Sequence, residues 1–169
     1  FYNTTGTNNV ALGASALNEN STGNDNVALG LGALQKNSTG GYNIALGRYT
    51  LNGNIEGNNN IALGENALLY NTEGNNNIAL GKSALFNNTT GDGNTAIGAS
   101  ALFNNVGGIN NIGLGFNARA LNAADTNSIV IGYNAVGVGS QSVVIGNTNI
   151  LTTILRGQTL IGTTTVGSP

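Results

Sequence analysis

Three carboxylates, Glu56, Glu73 and Asp92, recur at nearly even spacing among asparagines, and they are the residues most able to do chemistry in this chain. Glu56 and Glu73 share one phase of a 17-residue period. If that period is structural, they stack about 5 Å apart, the separation of the carboxylate pair in a retaining glycosidase. Carboxylates among Asn carbonyls also suit a hard cation such as Ca²⁺. The simpler expectation is solvated surface charge, because no other residue points to a sugar cleft and the Asp-rich pattern of calcium-binding rolls is missing. The sequence has no His and no Cys. That excludes Ser-His-Asp and Cys-His nucleophiles, disulfides and thiolate metal sites. The expectation is a protein without catalysis, bound metal or cofactor.

Other partners are narrowed by composition. Only 7% of the 169 residues are charged and the net charge is −2, so no basic patch is available to neutralise phosphates, and no nucleic acid is expected. No apolar run is long enough for a membrane span, so no membrane insertion is expected of this segment. The chain opens in mid-repeat without an initiator Met, which reads as a processed product or a fragment.

The element that positions everything is a repeat. Gly13, Gly30, Gly47, Gly64, Gly81, Gly98, Gly115 and Gly132 recur with a constant 17-residue period. Two asparagine series keep the same period: Asn3, Asn20, Asn37, Asn54, Asn71, Asn88, Asn105 and Asn122, and Asn9, Asn26, Asn43, Asn60, Asn77, Asn94 and Asn111. A second glycine series runs from Gly6 to Gly108 at the same spacing. After Gly132 the period shortens, and Gly146 closes a 14-residue unit. The chain therefore divides into 1–132, an array of 17-residue repeats; 133–146, one shorter repeat; and 147–169, a capping or transition segment rich in Thr, Ile and Leu.

Repeated Gly and Asn disfavour a helix. In Asn77-Ile78-Ala79-Leu80-Gly81, Ile78 and Leu80 share one face of a short strand and Ala79 takes the other. Ala84-Leu85 is expected to form a second, shorter strand, with Asn and Gly supplying the turns between. Such a unit is one coil of an all-β repeat solenoid. Residue i then lies over residue i+17, so the asparagines form hydrogen-bonded ladders and the glycines mark corners where a Cβ would clash. The core is expected to hold Ile78, Leu80, Leu85 and Phe86. Arg48, Glu65 and Lys82 alternate in sign up one column, and Glu19 and Lys36 are likewise opposite, as stacking favours. Glu56 over Glu73 is unfavourable. So little apolar surface per coil argues for burial of further faces by association.

The stretch Ser-Ile-Val-Ile-Gly-Tyr-Asn-Ala-Val-Gly-Val-Gly-Ser-Gln-Ser-Val-Val-Ile-Gly, 128–146, resembles the 14-residue head repeat of trimeric autotransporter adhesins. The 17-residue phrase, as in the run from Asn94, resembles a longer variant found in phage and viral tail or surface fibres that end in a self-releasing trimerisation chaperone. The resemblance covers nearly the whole chain. It implies a left-handed parallel β-roll with 17-residue coils, a homotrimer around one axis, and an extracellular, cell-surface or virion location. It implies a structural shaft or head that contributes to adhesion. The sequence departs from the adhesin pattern in its longer coils and its dense Asn. Eight to nine coils would give a rod of about 40 Å.

Remaining features are weighed in the same frame. Leu69, Phe86 and Phe103 form a column, with Tyr70 beside it. Exposed, it would be a stripe for a receptor or glycan; burial as a chain–chain contact or core cover is expected instead. Asn-x-Ser/Thr at Asn3, Asn20, Asn37 and Asn88 could accept glycans in a secreted eukaryotic protein, but a ladder role explains the phase better. Thr4, Ser21, Ser38, Thr72 and Thr89 share a column that Ile55 and Val106 interrupt, which is too irregular for an ice-binding face. Two alternatives to the fibre are a monomeric two-faced solenoid that binds ice or glycan, and a filament subunit stacking through open coil edges.

Overall fold

The computed structural model describes residues 3–149. These form an all-β parallel solenoid with one short strand per coil: β1 (Val10–Leu12), β2 (Val27–Leu29), β3 (Ile44–Leu46), β4 (Ile61–Leu63), β5 (Ile78–Leu80), β6 (Thr95–Ile97), β7 (Ile112–Leu114), β8 (Ile129–Ile131) and β9 (Val143–Ile145). The strands make one parallel sheet in sequence order. The register is the one the period demands: Ile61 pairs with Ile78, and Ala62 with Ala79. The coil between β8 and β9 is the shorter one, and it sets Ile129 opposite Val143.

The expected second strand does not form. Leu17, Leu34, Leu51, Leu68, Leu85 and Leu102 stand there in left-handed conformation, with φ of 48–51°. Each donates its N–H to a carbonyl of the next coil at 2.8–3.0 Å, such as Leu85 to Ala101. A bulky residue rarely adopts this conformation, which costs roughly 1–2 kcal/mol. Here it turns a leucine into the centre of the coil, where its burial offsets the strain.

The core is also built the other way round from expectation. Ala79, not Ile78 or Leu80, points inward, and with Ala84 and Leu85 it is fully buried. Ile78 and Leu80 lie half-buried on the outer face, and Phe86 is half-buried too. The reason is room: the inward Leu fills the coil up to the strand. At Gly113, the strand centre of β7, an added Cβ would lie 2.7 Å from Leu102 Cγ. The leucine column ends one coil later, where Arg119 takes its place, and there Val130 replaces alanine at the strand centre and is fully buried. The buried residues accordingly fall into two clusters, one ending at Leu102 and the other made of Ala118, Val130 and Ala135.

The two asparagine series are buried ladders. In the first, each Nδ2 donates twice: to Oδ1 of the asparagine one coil earlier and to the carbonyl of the glycine that follows in its own coil. Asn71 reaches Asn54 at 2.8 Å and Gly74 O at 2.9 Å. In the second, Oδ1 accepts the backbone N–H of the next ladder member, as Asn60 does from Asn77 at 3.0 Å. Its Nδ2 donates to the glycine carbonyl of the next coil, as Asn60 does to Gly74 at 2.8 Å. Gly74 O thus receives both ladders. No buried side-chain nitrogen or oxygen among the described residues lacks a partner, as a narrow, dry interior demands.

The glycines between the ladders cannot carry a side chain. A Cβ on Gly57 would lie 2.7 Å from Asn71 Nδ2, and it would crowd Asn54 Oδ1 and Gly74 O still more closely. The corner glycines that end the first eight strands, from Gly13 to Gly132, have φ of 122–139°, and Gly146 has 96°. Only glycine tolerates that region.

One ladder member departs from expectation. Asn122 is exposed and does not bond Asn105. Its coil has Asp125 where earlier coils have a ladder glycine, and the Asp125 carboxylate takes both the N–H and the Nδ2 of Asn122, at 2.9 and 3.1 Å. With a side chain at the glycine position, the amide has no space in the column. Asn111 Nδ2 caps the ladder instead by donating to Asn105 Oδ1 at 3.2 Å. A cavity of about 80 Å³ lies at this break, lined in part by Leu102, Asn105 and Arg119.

The 14-residue coil omits what the longer coils add. Ser128 Oγ donates to Gly139 O at 2.9 Å, the role that Asn94 Nδ2 plays toward Gly108 O. The second ladder therefore continues in altered form. The three missing positions fall between the Arg119–Val136 pairing and Gly139, the stretch that carries the first ladder in the longer coils.

Candidate interaction surface

The sheet's outer face is the largest surface that the strands position. Because alanine points in, the flanking residues of every strand point out. One column is Val10, Val27, Ile44, Ile61, Ile78, then Thr95, Ile112, Ile129 and Val143. The other, from Leu12 through Leu46, Leu63 and Leu80 to Ile145, is wholly Leu or Ile. Leu12 is 67% exposed, Leu63 39%, Ile97 43% and Val143 63%. Along the described strands the face carries no charge and one hydroxyl, Thr95. Isolated exposed hydrophobics are ordinary, but a continuous apolar patch marks an interaction site. The sequence contained the signal: alternation was legible, and only the assignment of the two faces was reversed.

Beyond the corner glycines, Glu65 sits between two cations: Arg48 Nη1 at 3.6 Å and Lys82 Nζ at 3.1 Å. This matches the expected charge column. The Arg48 guanidinium also lies 4.9 Å from the Tyr49 ring centre. Glu19 and Lys36 are not among the ion pairs of the described residues. Toward the C-terminus the same column turns aromatic, and Phe116 stacks on Tyr133 at 5.4 Å.

The acidic residues occupy a different edge. Glu56, Glu73 and Asp92 line a shallow surface with Asn58, Asn75 and Thr90. Asp92 has a structural partner there: its carboxylate accepts the backbone N–H of Asn75 at 2.6 Å. It ends a third ladder that sequence reasoning missed, in which Asn75 Oδ1 accepts from Asn58 N–H at 2.9 Å and Asn58 Oδ1 from Gly41 N–H at 2.8 Å. Its signal was present in the spacing of Asn24, Asn58, Asn75 and Asp92, but Gly41 interrupts it.

The ring stripe is neither fully buried nor fully free. Leu69, Phe86 and Phe103 are half-buried, and Tyr70 is 52% exposed. Phe86 and Phe103 stack at 4.8 Å with planes 5° apart, and Tyr70 meets Phe86 edge-on at 5.1 Å. Within one chain the expected burial is thus only partial. Of the four Asn-x-Ser/Thr asparagines named above, Asn20, Asn37 and Asn88 are buried with both amide protons bonded, which keeps them from modification in the folded chain. Asn3 is exposed. Among the described residues no helix is long and apolar enough to cross a membrane.

Comparison with family models, with curated proteins and with solved structures finds no match to this chain.

Proposed function

We propose that this chain is a shaft or head segment of an extracellular or virion surface fibre, in which three copies pack around one axis through the outer faces of their sheets. It works by stiffness and length, holding adhesive elements away from a surface, and carries no catalysis. The observation that supports this reading is the uncharged outer face, apolar but for Thr95, that runs along the nine described strands. Its natural occupant is a second copy of the chain. Two solenoids of this kind share the same axial rise, so their Val/Ile and Leu columns stay in step over the whole length; a partner without that period would match at one or two coils only. The resemblance of 128–146 to adhesin head repeats supports three copies and a left-handed roll.

Sedimentation or light scattering on the purified chain tests the reading. A three-chain mass is expected. Ile61→Lys with Leu63→Glu, both on the outer face, should reduce it to one chain while the far-ultraviolet dichroism persists. A wild-type protein that stays monomeric at micromolar concentration refutes the proposal.

A further inference from the structure

The outer face of the sheet repeats so closely that its own regularity leaves alignment open. β3, β4 and β5 all read Ile-Ala-Leu, and β1 and β2 both read Val-Ala-Leu. A second copy packed on this face could therefore slide along the axis by one coil and meet nearly the same side chains. The shorter last coil does not prevent this. The three residues it lacks lie away from the strands, and β9 still presents Val143 and Ile145. Such a slip loses overlap at the two ends but meets no clash along the face.

Thr95 is the exception. It stands in the Val/Ile column, on β6, paired with Ile78 on one side and Ile112 on the other. Threonine has the branched shape of valine, which serves at Val10 and Val27 in the same column, so the stacking of coils does not call for a hydroxyl there. The backbone N–H of Thr95 is bonded to Asn111 O at 2.8 Å. Its hydroxyl is unspent. Oγ1 has no partner among the described residues, and since none of their buried side-chain oxygens lacks one, it lies at the surface. Thr50, Thr72 and Thr89, on other columns, each donate their hydroxyl to a carbonyl.

Covering the face decides what becomes of the Thr95 hydroxyl. Buried without a partner, it is destabilising. On the described strands of a second copy, the one outward side chain able to serve it is that copy's own Thr95. The two meet only when the copies are level.

We infer that Thr95 sets the axial register of the assembly proposed above, a reading on which this inference rests. With three copies level, their Thr95 hydroxyls lie at one height around the axis. Each donates to one neighbour and accepts from the other, so all three are satisfied. With one copy displaced by a coil, its Thr95 lies against Ile78 or Ile112 and the ring of hydroxyls is broken. A single polar residue in the apolar seam of a coiled coil fixes register by the same opposition of paired and unpaired burial.

The test exchanges two residues. Thr95→Ile with Ile78→Thr moves the hydroxyl by one coil and leaves composition and overlap unchanged. Alone, this chain should fold and assemble as wild type does, by circular dichroism and light scattering. The two chains, one isotope-labelled, are then unfolded and refolded together, and native mass spectrometry counts pure and mixed trimers. Every level mixed trimer buries a hydroxyl without a partner, so the ratio of pure to mixed trimers should exceed that of random association by about tenfold. A mixed trimer can pair its hydroxyls by slipping one coil. With Leu46→Cys in the exchanged chain, thiol cross-linking of mixed trimers should then reach Leu63→Cys of wild type and not Leu46→Cys. Random mixing, with the two position-46 thiols cross-linked, overturns the inference and leaves the fibre reading intact. A wild-type chain that stays monomeric defeats the fibre reading, and the inference with it. If the exchanged chain does not assemble, Thr95→Val, which removes only the hydroxyl, and Thr95→Ser, which keeps it, take its place. The first should mix with wild type below the random level and the second at that level; equal mixing by both overturns the inference.

Discussion

Replacing Asn71 with alanine removes one rung of the first buried ladder, and the structure fixes what is left behind. Asn71 Nδ2 donates to Asn54 Oδ1, and its own Oδ1 accepts from Asn88 Nδ2, both at 2.8 Å. Gly74 O keeps a donor, because Asn60 Nδ2 also reaches it. Two buried groups are therefore orphaned: Asn54 Oδ1 and one proton of Asn88 Nδ2. At about 1–3 kcal/mol for each unsatisfied buried group, the expected loss is about 4 kcal/mol, a large part of a typical domain's stability. Pairs of substitutions sharpen the test. Asn71→Ala with Asn88→Ala still orphans only two groups, Asn54 Oδ1 and a proton of Asn105, because the two missing rungs were each other's partners. Asn37→Ala with Asn88→Ala orphans four, because those two rungs share no partner. The adjacent pair should thus be milder than the sum of its singles by about 2–4 kcal/mol, while the separated pair should be additive. Urea titrations followed by circular dichroism at one protein concentration measure this, since association alters apparent stability. If the adjacent pair is additive within error, the orphan-group account of the ladder is wrong.

Four further outcomes follow from named contacts. Asn77→Ala leaves chiefly the Asn94 N–H unpaired, so it should cost about half as much as Asn71→Ala in the same titration. Gly57→Ala places a Cβ between Asn54 Oδ1 and Gly74 O; a loss of about 3 kcal/mol is expected, and a neutral result would mean that the turn can open freely. Gly113→Ala should destabilise by about 1–3 kcal/mol through its clash with Leu102 Cγ, and Leu102→Val in the same chain should recover part of it, as thermal unfolding of the two variants would show. Glu65→Gln breaks both exposed ion pairs but should cost less than about 1 kcal/mol, with the difference fading in concentrated salt.

How much of this was legible in the sequence varies by kind of statement. Which residues stack was fully legible: with no insertion in the 17-residue array, every pairing from Val10–Val27 to Ile112–Ile129 is arithmetic. The ladders followed, since Asn at a fixed phase on every coil has an obvious partner. Asn122 broke the rule through a different residue, Asp125, whose conflict with the amide is visible only in three dimensions. The third ladder was hidden because one of its members is Gly41, which bonds through its backbone.

By itself, then, the sequence determined the period, the parallel register and the identity of each column, because a one-dimensional repeat can satisfy its backbone only by placing like over like. The tertiary structure alone decided which way each column faces. Ile-Ala-Leu alternates equally well with either face inside, and the choice depends on the width of the coil's interior. The left-handed leucines and the double row of asparagine amides fill that width, so only alanine fits at the strand centre until the leucine column stops and Val130 takes up the space. Turning alanine in turns isoleucine and leucine out, and that displacement creates the apolar face on which the proposed assembly rests.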